Sequence, residues 1–187
     1  KYNGTEVIAI SPEFTPTAMH ASLWVNPQPG SDTALALAMV NVILQERLFK
    51  ADYIREQSDL PLLVRIDNKR LLRAEDFASQ DDLTATGGGF FVWDEVGNSL
   101  AKAPGMKSGD DQAPTLKLGE LQPALEGSWR VKGLDGEIEV TTVFELLKVR
   151  AAEHSPELTA ETTGVNPKIV RRVARAFAAA EPAMIFS

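Results

Sequence analysis

Apolar positions in the first third of this chain come in short runs set apart by proline and glycine, and their spacing predicts alternating strands and helices. Residues 6–10, apolar from Val7 to Ile10, read as a buried strand, and Ser11-Pro12-Glu13 ends it because proline lacks the N–H a ladder needs. A short helix is predicted over 15–21 and a brief strand over 23–25, followed by the turn Asn26-Pro27-Gln28-Pro29-Gly30, stiffened by two prolines. Residues 33–47 carry apolar side chains around most of their circumference, the pattern of a helix packed on a sheet under further layers. Ser31 or Asp32 supplies its N-cap. A second helix over 51–57 and a strand over 62–66 follow.

The texture then changes. Residues 67–140 are polar and loop-rich, with short strands predicted at 90–93, 130–131 and 137–141 and a hairpin turn at Asp135-Gly136. Residues 101–122 have no periodicity and read as a loop. Helices return over 143–153, 156–163 and 167–179. Ser155-Pro156 and Asn166-Pro167 each place a capping residue before a proline at the first helical position, and Gly164 fits a C-terminal cap. The apolar run 183–186 predicts a last strand lying parallel to the first. The expected organisation is α/β: an α/β segment over 1–66, a β-rich and loop insertion over 67–141, and helices with a final strand over 142–187 that return to the α/β part. A buried strand at each end, with neither an initiator Met nor a signal peptide, reads as a chain belonging to something larger.

Composition narrows the chemistry. Nineteen Lys and Arg stand against 26 Asp and Glu, for a net charge of −7, which disfavours broad attraction to nucleic acid or anionic lipid. The longest apolar run, residues 34–44, is broken by Asn41 and falls short of the roughly 18–20 residues that cross a bilayer, so no membrane insertion is expected. The absence of Cys removes thiolate metal sites and iron–sulfur clusters from these residues. His20 and His154 have no ligand spacing around them, and Gly87-Gly88-Gly89 lacks the Lys-Ser or Lys-Thr of a P-loop. The acidic pairs Asp81-Asp82 and Asp110-Asp111 read as solvated loop residues.

Two places can carry function. The first joins Ser11 and Glu13, after the first strand, with Gly30, Ser31 and Asp32 at the start of the apolar helix. A helix N-terminus offers free N–H groups and partial positive charge to a phosphate, and Gly30 permits close backbone approach. The Asp32 carboxylate can accept together from N1–H and the exocyclic amine of guanine, a pairing adenine does not offer. The alternative from residue chemistry is that Ser31 or Asp32 only caps the helix and Glu13 is solvated. The second place is the helix pair 156–179 with Arg171, Arg172 and Arg175, which is either a packed helical hairpin or a helix-turn-helix of a DNA-binding protein.

The order Ile10-Ser11-Pro12-Glu13, Pro16-Thr17-Ala18, Leu23-Trp24-Val25 and Pro29-Gly30-Ser31-Asp32 resembles the dimethyl sulfoxide reductase superfamily of molybdopterin oxidoreductases, whose usual wording opens the helix with Pro-Gly-Thr-Asp. Ser11, where the family more often has Asp, is similar to its nitrate, selenate, chlorate and ethylbenzene-oxidising branch. So are Tyr53-Ile54-Arg55-Glu56-Gln57-Ser58-Asp59-Leu60-Pro61, Leu71-Leu72-Arg73, Thr142-Val143-Phe144-Glu145-Leu146-Leu147 and Thr163-Gly164-Val165. The resemblance spans nearly the whole chain. It implies an internal fragment of a catalytic subunit, part of a parallel-sheet, Rossmann-like cofactor-binding domain. It implies a bis(molybdopterin guanine dinucleotide) molybdenum cofactor, with Ser11, Glu13, Gly30, Ser31 and Asp32 as contacts near one guanosine end. The metal ligand and the iron–sulfur cluster are then expected upstream of these residues, leaving this chain without catalytic groups. The implied partners are the remainder of the subunit and an iron–sulfur electron-transfer subunit, in a periplasmic or a cytoplasmic membrane-associated complex. Alone, the fragment is expected to be inactive and to self-associate through uncovered apolar surface. The competing class is a non-enzymatic binding module.

Overall fold

The computed structural model describes residues 4–77, 89–104, 118–134 and 136–185. Gly87, Gly88, the two acidic pairs, Asp135 and Phe186, singled out in the sequence, lie outside them. The chain gathers into two compact units, Lys1–Phe49 with Lys148–Ser187, and Lys50–Leu147. The sequence segmentation placed 50–66 with the first part, whereas these residues gather with the 67–141 region.

In the first unit, β1 (Ile8–Ile10) and β2 (Leu23–Val25) pair in parallel, with Ile8 opposite Leu23 and Ile10 opposite Val25. The short helix α1 (Pro16–His20) connects them; the Thr15 hydroxyl accepts from the Ala18 N–H and Pro16 fills the first turn, where a missing donor costs nothing. The long helix α2 (Asp32–Gln45) then packs Leu35 and Ala38 against Val25 and against Val165, Val170 and Val173. Each Leu or Val side chain among these, fully buried, contributes roughly 1.5–3 kcal/mol. Asn41, the polar break in the apolar run, is buried and donates from its side-chain amide to the Ala151 carbonyl at 2.9 Å. Its interruption of the pattern satisfies a backbone acceptor rather than exposing a face.

The second unit begins with α3 (Ala51–Gln57) and β3 (Leu63–Arg65), which pairs antiparallel with β7 (Gly136–Thr142); β7 pairs in turn with β6 (Ser128–Gly133). A separate hairpin is made by β4 (Phe91–Asp94) and β5 (Ser99–Lys102). Leu63, Leu72, Val131, Ile138 and Val140 form one core, and the Trp93 and Trp129 rings stack beside it at 5.0 Å. Two expectations are corrected here. The sequence read 101–122 as loop, yet Ala101 and Lys102 belong to β5, held by pairing with Val92 and Phe91 rather than by any propensity of their own. Gly136 was placed in the hairpin turn, but it pairs with Gly133 and is a ladder residue.

The last helices are α4 (Val143–Ala152), α5 (Pro156–Thr163) and α6 (Pro167–Ala179), and the starts of α5 and α6 and the end of α5 follow the predicted caps. Ser155 accepts from the Leu158 N–H, Asn166 accepts from the Lys168 N–H, and Gly164 closes α5 in the left-handed conformation at φ +69°. The expected final strand is not formed by residues 183–185, which have no regular structure and leave Met184 and Ile185 exposed. A strand exists only with a neighbour to receive its backbone groups, and these residues have none.

Candidate functional site

Because β1 and β2 run in parallel, the loops that leave their carboxyl ends emerge on the same edge of the first unit. One loop carries Ser11 and Glu13, the other Gly30, Ser31 and Asp32. The sequence-predicted residues are therefore delivered to one edge of the sheet, the location where open α/β sheets take ligands.

The first loop is clamped to β2. The Ser11 N–H donates to the Val25 carbonyl at 3.0 Å, and the Trp24 indole N–H donates to the Ser11 carbonyl at 3.0 Å. The Ser11 hydroxyl accepts from the Glu13 N–H at 3.3 Å, which turns the chain outward and leaves the Glu13 side chain exposed. The Phe14 ring meets Trp24 edge-on at 5.0 Å.

The second loop is organised by Gln28. Its N–H donates to the Thr163 carbonyl at 2.8 Å, and its carbonyl receives both the Ser31 N–H at 3.1 Å and the Ser31 hydroxyl at 2.6 Å. Ser31 is thus turned inward and 4% exposed, shaping the loop. It occupies the N-cap position of α2 without capping it: no side-chain cap bond is made there. The consequence is chemical. The first N–H groups of α2 keep their donor capacity at the positive end of a 14-residue helix, with the exposed Asp32 carboxylate in the first turn. Gly30 sits at φ +80°, and a Cβ built on it meets nothing within 4 Å, so open space lies over the loop.

Trp24 and Gln28 were not singled out in the sequence. The only signal was indirect: an indole donor on a strand next to a loop carbonyl, and a side chain fixed between two prolines. Thr163-Gly164 was noted as a turn, and its place is now plain. A Cβ on Gly164 would come to 3.3 Å from the Gln28 Cγ, so this turn seats against the β2–α2 loop.

The arginines of α6 are engaged with carboxylates. Arg171 pairs with Glu157 at 2.7 and 2.9 Å, Arg175 pairs with Glu46 at 2.7 and 2.8 Å, and Arg172 lies 3.7 Å from Glu6. The Arg175 guanidinium holds the Glu46 carboxyl below its ordinary range, and Arg171 does the same to Glu157. This arrangement is that of a packed helical hairpin with a neutralised outer face. Among the described residues no group of three or more His, Asp or Glu is placed to hold a metal ion, and no helix is long and apolar enough to cross a membrane.

No family model matches the chain. Individual relatives do. The alpha subunit of chlorate reductase from Ideonella dechloratans is 42% identical over 93% of this chain and 18% of its own length. The alpha subunit of dimethylsulfide dehydrogenase from Rhodovulum sulfidophilum is 40% identical over 100% of this chain and 20% of its own. The alpha subunit of perchlorate reductase from Dechloromonas aromatica (strain RCB) is 39% identical over 98% and 21%. The chain spans about a fifth of the length of the curated relatives it matches. Identity of 39–42% over 93–100% of this chain carries the assignment: the chain belongs to the dimethyl sulfoxide reductase family of molybdopterin oxidoreductases.

Proposed function

We propose that this chain is part of the catalytic subunit of a molybdenum oxidoreductase and that its β1–β2 edge holds the guanosine end of a molybdopterin guanine dinucleotide. The observation that carries the reading is the uncapped start of α2 beside open space at Gly30, with an exposed carboxylate at Asp32. The donor set fits such a group. The N–H groups of the first turn of α2 receive a phosphate oxygen, Gly30 keeps the backbone approach clear, and Asp32 accepts from the guanine N1–H and exocyclic amine. Ser11 and Glu13 border the same edge, Glu13 as a second carboxylate acceptor; Ser31 acts indirectly, by folding the loop onto Gln28.

When bound, the cofactor supplies oxygen-atom transfer or hydroxylation at its metal, with electrons passing to an iron–sulfur subunit. This segment positions and does not react. With no Cys, it leaves the thiolate ligands of any cluster to residues elsewhere in the subunit, and the 187 residues alone turn over no substrate. Named relatives act on chlorate, perchlorate and dimethyl sulfide, and the whole protein is assigned to this group of small-molecule redox enzymes.

The test is cofactor content. In the full-length subunit, Asp32→Ala is expected to lower the guanine nucleotide released by acid per chain while a control at the exposed Glu137 does not. Equal guanine release from wild type and Asp32→Ala contradicts the reading.

A further inference from the structure

The loop that leaves β1 carries an aromatic ring that lies outside the apolar core of the first unit. Phe14 stands just before the Thr15 cap of α1, where an apolar side chain ordinarily packs onto the fourth residue of the helix. That residue is Met19, itself 64% exposed, and the Phe14 ring lies instead against Trp24, with centroids 5.0 Å apart and planes at 72°. The indole is fixed in turn: its N–H donates to the Ser11 carbonyl, and the Ser11 N–H donates to the Val25 carbonyl. An edge-on contact of this kind occupies one side of a ring, and Phe14 is 59% exposed, so its remaining surface meets solvent. The loop thus holds a flat apolar face outward at a fixed angle, next to Glu13 and at the strand ends that also carry the Gly30 loop.

We propose that Phe14 is the platform on which the base of the bound nucleotide stacks. The inference rests on the guanosine reading of this edge and adds a contact of a different kind. Hydrogen bonds to Asp32 identify a base by its edge, but a purine also has two flat faces, and an aromatic ring can cover one of them. Stacking on an aromatic side chain is indifferent to which base is present, since every base has a π-face. Phe14 and Asp32 then divide the recognition: the ring supplies affinity common to purines, and the carboxylate supplies the choice of guanine. Trp24 is a positioning residue. A ring already braced by the indole loses little freedom when the base arrives, so the ordering cost of binding is small.

Titration of the 187-residue chain with GDP and with ADP tests the platform, with Phe14→Leu and Phe14→Tyr beside wild type. Leucine keeps the apolar bulk without the π-face, and tyrosine keeps both; position 14 is exposed, and urea denaturation verifies that each variant is folded. Phe14→Leu is expected to weaken GDP and ADP by the same factor, roughly 5- to 150-fold, the range for stacking on one base, and to leave the ratio between them unchanged. Phe14→Tyr is expected to bind both nucleotides as wild type does. Wild-type affinities in Phe14→Leu overturn the platform and leave the ring as a contact for another part of the subunit. A loss confined to GDP also overturns it, because stacking does not distinguish the bases. Wild type that binds neither nucleotide overturns it as well, while the guanosine reading is still decided by guanine release from the full-length subunit. Conversely, equal wild-type affinity for GDP and ADP, lost together in Phe14→Leu, removes the role of Asp32 and keeps that of Phe14.

Discussion

Asp32 and Asp94 show how one residue type serves two ends. Asp32 is exposed at an uncapped helix start and has its acceptor capacity available. Asp94 has committed its own: it accepts from the backbone N–H groups of Gln122 at 3.1 Å, Gly97 at 2.9 Å and Val96 at 3.3 Å, and these donors hold its carboxyl below the ordinary range, Gln122 most strongly. The sign of the pH effect follows. A depressed carboxylate contributes stability at pH values above its unfolded value near 3.8, and the contribution is lost as the pH falls through its lower folded value. Asp94→Asn is therefore expected to lower the denaturation midpoint at pH 7 and to flatten its fall below pH 4. An acid profile identical to wild type contradicts the role given to those three N–H groups.

At the scale of elements, the β2–α2 loop and the α5–α6 turn support each other. Gly164 needs a positive φ and faces Gln28 at 3.3 Å, so Gly164→Ala is expected to cost about 1 kcal/mol or more and, by displacing Gln28, to disturb the start of α2. Asn166→Ala removes only a cap, with an expected cost of about 1 kcal/mol and no effect on that loop. Urea denaturation gives both costs; amide exchange at Ser31, whose N–H donates to Gln28, separates them. Helix ends were the most legible part of the sequence because Ser155-Pro156, Asn166-Pro167 and Gly164 encode them locally. β5 and the partner of β3 were not, because cross-strand pairing with residues far along the chain decides them. The candidate site was legible as residue types on two loops. Its organising contacts, Trp24 to Ser11 and Gln28 to Thr163, depend on residues distant in sequence and carry no local signature.

For the whole molecule, the second unit is a sheet and hairpin around Leu63, Leu72, Val131, Ile138 and Val140, and it contributes none of the residues assigned to the nucleotide edge. Leu63→Ala, at a fully buried position, is expected to lower stability by about 2–5 kcal/mol in chemical denaturation; a loss below about 1 kcal/mol contradicts the core described for this unit. The family relationship covers the chain from end to end at 39–42% identity with three alpha subunits, so both units belong to the shared architecture. The guanosine contacts come from a few residues of the first unit, and the decisive measurement is calorimetric titration of the 187-residue chain with GDP and with ADP, for wild type and Asp32→Ala. GDP is expected to bind more tightly than ADP, and Asp32→Ala to remove this preference at a cost of about 1.5–3 kcal/mol, the range for hydrogen bonds to a charged group. Equal affinity for the two nucleotides, or a GDP preference that survives in Asp32→Ala, would contradict it.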